Sequence, residues 1–185
     1  MTILEYANWV PLPTPVTTGT TVQSFTAPDG EVWVAANGVN SGAWKKARDV
    51  FHCLYSRAAA FNTTSTAAVL ACDTRNRDDY TLYNSSTGVF TAPVAGWWQM
   101  VFSSGASATA VGQLVNVLIQ DSGGITVAQF NASAGGAGIV TGVAYLNRFL
   151  NVNDTFKTVV ASSVTLTGRT SYDTTRLTID YLGTG

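Results

Sequence analysis

Residues 83–104, Y-N-S-S-T-G-V-F-T-A-P-V-A-G-W-W-Q-M-V-F-S-S, constrain the fold more than any other part of the chain. Asn84, Ser85, Ser86, Thr87 and Gly88 carry Asx and glycine turn chemistry. Pro93 cannot donate to a central ladder, and Gly96 frees the backbone ahead of a run of aromatic and branched residues. The segment predicts a turn, a strand, a break and a second strand. At period two, Trp98, Met100 and Phe102 share one face of that second strand and form its core side. Trp97, Gln99 and Val101 share the other, which is also largely apolar. A strand apolar on both faces needs cover on both.

Nothing in the chain sustains helical spacing, because Gly, Thr, Val and Ser interrupt every candidate run. Strands are predicted over 52–61, 67–72, 114–120, 125–130, 140–150, 155–161, 163–166 and 176–182. Asp121, Ser122, Gly123 and Gly124 form a hairpin turn, residues 73–79 a charged loop and residues 132–138 a glycine-rich loop. An earlier hairpin over 22–36 turns at Ala27, Pro28, Asp29 and Gly30, and a second turn begins at Asn37-Gly38. Residues 43–51 read as a basic edge strand. Before them, Trp9, Pro11, Pro13 and Pro15 lie in a proline-rich stretch that favours an extended arm over a helix.

The order Y-N-x-x-T-G-x-F-T-A-P-V-A-G followed by an aromatic strand resembles the complement globular-head and tumour-necrosis-factor-like jelly-roll superfamily. Phe149 to Phe156, F-L-N-V-N-D-T-F, is similar to that family's late strand, turn and strand, and Thr175 to Leu182 to its closing strand. Asn153 departs from the pattern, standing where the family usually has Gly; Asn tolerates the left-handed conformation, so the turn is expected to survive. The resemblance covers residues 51–182 and implies a threefold assembly in which the sheet face bearing Trp97, Gln99 and Val101 packs against sister subunits. Separately, V-W-V, then N-G, then W-K-K-A-R within residues 32–48 resembles short hairpin modules of tail and fibre proteins of bacterial viruses.

Charged residues make up 11% of the 185, where an ordinary soluble domain has about 25%. Ten basic and 11 acidic residues leave no electrostatic footprint for nucleic acid and no basic face for an anionic membrane. No apolar run has the length of a membrane span. The first residues lack a basic segment followed by an apolar one, so the chain is expected to be made in a host cytoplasm, with Cys53 and Cys72 unpaired. The single histidine, His52, reads as a packed or edge residue with no nucleophile motif beside it. Asp78 with Asp79, or Asp121, could offer oxygen ligands to calcium. The flanking Arg75 and Arg77 favour an exposed ion-pair cluster instead, and no metal or cofactor is expected.

These readings define an all-β jelly-roll sandwich over 49–185, preceded by an arm and hairpin region over 1–48. The expected function is non-enzymatic: a homotrimeric virion protein of a bacteriophage, a minor tail or fibre component with a projecting head that contacts the host surface. Trp9, Pro11, Pro13, Pro15, Trp33 and Trp44 would anchor it to neighbouring virion proteins. A capsid-decoration protein of the same architecture is the near alternative. A monomeric module binding host polysaccharide through Trp97, Trp98 or Tyr172 is the more distant one.

Overall fold

The computed structural model describes residues 23–27, 29–35, 44–78, 80–171 and 174–184. The proline-rich arm with Trp9, Pro11, Pro13 and Pro15, the Asn37-Gly38 turn, and Asp79, Tyr172 and Asp173 lie outside the described residues.

The described residues begin with β1 (Gln23–Thr26), β2 (Val32–Ala35), β3 (Lys45–Lys46) and a single helical turn, α1 (Ala47–Val50). Next come β4 (His52–Ser56), β5 (Asn62–Thr63), β6 (Ala68–Val69), β7 (Thr74–Arg77), β8 (Tyr83–Asn84) and β9 (Val89–Thr91). The long strands come after these: β10 (Gly96–Ala108), β11 (Leu114–Asp121), β12 (Thr126–Ser133), β13 (Gly138–Leu150) and β14 (Thr155–Ser162), before β15 (Leu166–Gly168) and β16 (Arg176–Gly183). One sheet runs β5-β15-β10-β16-β4-β7, with β13 along the other edge of β10; the second runs β12-β11-β14-β9-β8, with β6 added to β14. All pairings are antiparallel, and β1, β2 and β3 form a small third sheet. Two antiparallel sheets face to face with this strand order make a jelly-roll sandwich.

The turn that opens the 83–104 stretch has the predicted chemistry. Asn84 Oδ1 accepts hydrogen bonds from the N–H groups of Ser86 and Thr87, and Gly88 takes the left-handed conformation at φ 71°. Asn153 does the same at φ 69°, as expected for Asn in place of Gly. Gly96 admits no replacement of ordinary size, because a Cβ there would stand 2.5 Å from the Tyr181 ring and 2.6 Å from the Gly183 carbonyl. Trp98, Met100 and Phe102 are buried, with Trp98 packed among Phe51, Phe90 and Tyr181. Val32, Val34 and Ala47 join the same apolar cluster, and Thr184 Oγ1 donates to the Gly30 carbonyl at 2.8 Å. The small sheet is therefore packed onto the sandwich.

Four local readings are corrected. Residues 47–50 form a helical turn, closed by Phe51 N–H on the Ala47 carbonyl, where a strand was expected. The charged loop over 73–79 contains strand β7, all of whose side chains are exposed on the edge beside β4; charge there suits an edge that must not pair further. Asp78 is no surface cluster member. It is 3% exposed, and its carboxylate accepts from Tyr55 Oη and from the N–H groups of Tyr80, Leu82 and Tyr83, closing the loop that carries Thr81 at φ 54°. Finally, the strand expected over 163–166 starts at Leu166, because Ser162 Oγ donates to the Val164 carbonyl and turns the chain first.

Cys53 and Cys72 are both buried and not joined in a disulfide, and burial pushes the Cys72 thiol up to about 12, which keeps it protonated. Burial also pushes the Tyr83 phenol up to about 12, and its oxygen accepts the Cys72 N–H at 2.9 Å.

Candidate self-association face

Alternation along β10 sends Trp97, Gln99 and Val101 outward, away from the core. Strand register places four rows of side chains across this face. Phe149 stands beside Trp97, and their rings meet edge to face at 6.1 Å. The second row is polar and crosses four strands as Asn147, Gln99, Asp180 and His52. The third runs Tyr145, Val101, Thr178, Leu54 and Arg77, and the fourth Val143, Ser103, Arg176, Ser56 and Thr74. Leu182, in the bulge where β16 shifts register against β10, adds another apolar side chain. Trp97 is 43%, Phe149 42%, Tyr145 54%, Val143 45% and Leu182 48% exposed.

Two hydrogen bonds fix the polar side chains. Gln99 Nε2 donates to Tyr145 Oη at 2.7 Å, tying β10 to β13, and His52 Nδ1 pairs with Asp180 Oδ1, tying β4 to β16. The His52 pairing joins residues 128 apart in sequence, and no local pattern signals it. His52, expected as a packed or edge residue, is neither: β4 lies between β16 and β7, and the imidazole is partly exposed and faces outward with the rest of the row.

Strand β13 continues the apolar surface to a side that pairs with no strand among the described residues, with no register shift along its pairing with β10. Strand β12 is the neighbouring end strand of the second sheet among the described residues. Arg148 is the sole charged side chain on the two strands, and neither contains proline. Of the usual defences against pairing with another chain, β12 has one bulge, at Val127, and β13 has one charge, Arg148.

Other candidate sites are weaker. Asp78 spends its acceptors on the fold, and among the described residues no group of three or more His, Cys, Asp or Glu side chains converges. Asp121 Oδ1 accepts the Ile125 N–H at 2.9 Å and closes its hairpin turn. A cleft of about 250 Å³ between the small sheet and the end of β16 is lined by Asp29, Glu31, Arg48, Tyr181 and Thr184. Arg48 is there neutralised by Glu31 at 3.1 Å. Burial, with Glu31 adding to it, pushes the Tyr181 phenol up to about 12. On the small sheet, Trp33 and Trp44 are half-buried around Phe25, with the Lys46 ammonium 5.7 Å from the Trp33 ring.

The arrangement defines a jelly roll of the tumour-necrosis-factor and complement-head type, and solved structures share it. Eiger TNF from S. frugiperda superposes with a TM-score of 0.55 at 10% identity, over 72% of this chain and 93% of that one. The globular domain of zebrafish complement 1qA protein gives 0.51 at 9% identity, over 72% and 98%. Murine APRIL at pH 5.0 gives 0.51 at 9%, over 71% and 98%. No protein-family model and no curated protein sequence matches the chain.

Proposed function

We propose that the chain is a non-catalytic structural protein that assembles as a homotrimer through the face carrying Trp97, Gln99 and Val101. The observation that carries this reading is the contrast between the outward faces of the two sheets. The face on β10 and β13 exposes Trp97, Phe149, Tyr145 and Val143, whereas on the second sheet the outward Leu118 and Val159 are buried, Leu114 and Val69 are the exposed apolar side chains, and β11 and β12 otherwise send Asn116, Gln120, Thr126, Gln129 and Asn131 outward. An exposed apolar surface of this kind marks an interaction site. The sparsely charged outer sides of β12 and β13, with Arg148 their single charge, adjoin it, so an edge of one copy meeting the face of the next gives a heterologous contact, which closes into a ring when the rotation between copies is threefold.

The particle is a bacteriophage virion, with the chain as a minor tail or fibre protein and the sandwich projecting toward the host surface. The likeness of residues 32–48 to tail hairpin modules supports this reading, as does a charged fraction of 11%, low enough for a surface largely occupied by partners. Residues 1–48 hold the subunit to its neighbours, with Trp33 and Trp44 as contacts. A capsid location fits the same architecture. The exposed Trp97–Phe149 ring pair also suits stacking on a sugar, so host polysaccharide binding is the second reading.

Quantitative mass spectrometry of purified particles tests the assignment. The chain should be present at a multiple of three copies per particle, and its absence from particles would remove the virion reading.

A further inference from the structure

The chain has one histidine, and it lies on the face assigned to self-association; a role for it in assembly rests on that reading of the face. His52 and Asp180 are register partners on β4 and β16, joined from Nδ1 to Oδ1, and each side chain is 32% exposed in the single subunit. Asp180 is the only carboxylate in the four rows of this face. The other charged side chains there are Arg77 on β7, opposite Leu54, and Arg176 on β16, opposite Ser56. From β10 the neighbour is the neutral Gln99, and from β13 it is Asn147, with the Tyr145 phenol already engaged by Gln99. On α1, Arg48 is paired with Glu31 and Asp49.

A second subunit closing over this face takes the pair out of water. With a neutral imidazole, the group being buried carries a net negative charge. With one proton more it is an ion pair of zero net charge, which costs less to desolvate. Rotational symmetry repeats the pair in every copy, so unprotonated pairs would also repel one another across the assembly.

We propose that His52 and Asp180 form a proton-operated control on self-association, in which each subunit contact takes up a solvent proton on the imidazole and holds it against the carboxylate. The sign comes from linkage. A group that binds its proton more tightly in the assembly contributes association free energy below its titration in the free subunit. That contribution is lost as pH rises through its titration in the assembly. Association therefore strengthens toward acid and weakens toward base.

Sedimentation equilibrium of the full-length chain from about pH 5 to about pH 8, where histidine alone among ordinary side chains changes charge, tests this. Thermal unfolding run alongside establishes that each protein is folded. Wild-type association should weaken by about tenfold or more across the range, the effect of a shift of one pKa unit. His52→Gln should associate about as weakly at acid pH as wild type does at basic pH. Asp180→Asn should reverse the trend, because protonation then turns a neutral pair into a cation. Wild-type association that is independent of pH, or that weakens toward acid, overturns the control and leaves self-association standing. So does a pH dependence that survives in folded His52→Gln. A single subunit at every pH overturns both.

Discussion

The two sheets are built alike and finished differently. Both bury one apolar face against the other, with Trp98, Met100 and Phe102 meeting Val115, Val117 and Ile119 in a single cluster. Outward, the β11–β12 sheet buries Leu118 and Val159, exposes Leu114 and Val69, and otherwise shows side-chain amides and hydroxyls, of which Gln129 donates to Asn131 at 2.6 Å and Gln120 to Thr126 at 3.4 Å. The β10–β13 sheet instead shows water an aromatic pair, a further tyrosine and several aliphatic side chains, with only one wholly polar row among them. A lone subunit gains nothing by exposing Trp97, Phe149 and Tyr145 together.

The sharpest way to break the comparison is to exchange the roles of adjacent tryptophans. Trp98→Ala removes a fully buried ring and should cost about 3–5 kcal/mol in urea unfolding. Trp97→Ala should change the stability of the isolated subunit by less than about 1 kcal/mol while weakening its association. Equal losses in the isolated subunit would show that the outward face is structural. Gly96→Ala tests the junction where both faces begin: its Cβ would collide with Tyr181, and a loss of about 1–3 kcal/mol is expected, with no replacement rotamer to relieve it. A smaller, pH-dependent effect comes from Asp73, on the edge distant from β13. Burial alone would raise its carboxyl, but the N–H groups of Ala58 and Ala59 and the Arg57 guanidinium outweigh it and hold it below the usual carboxylate range. With the folded value depressed, its stabilisation is complete above the ordinary aspartate range and is lost as pH falls through the lower value. Asp73→Asn should therefore flatten the acid limb of stability without altering association.

Much of the sandwich was legible because its signals are local. Turn residues at Asn84, Gly88 and Asn153 announce backbone conformations directly, and period-two alternation after Gly96 sorts β10 into its two faces. Strand β7 is not legible in the sequence because T-R-N-R carries no apolar alternation; an edge strand exposed on every side chain looks like a loop. The burial of Asp78 is hidden for a related reason, since charge in a charged run signals surface unless the three N–H groups that donate to its carboxylate are seen. The outward residues Trp97, Gln99 and Val101 were identified, but their rows were not. Asn147, Asp180 and His52 reach Gln99 only through the register of strands far apart in sequence.

The central claim is that the aromatic outward face is covered by copies of the same chain. Light scattering on the full-length protein at micromolar concentration measures this directly, with Val101→Asp as its partner because a carboxylate at that row leaves the core untouched. The wild-type mass should be that of three subunits, and the variant should be folded with the mass of one. A folded wild-type chain with the mass of one subunit, or a Val101→Asp protein that remains a trimer, would contradict the account.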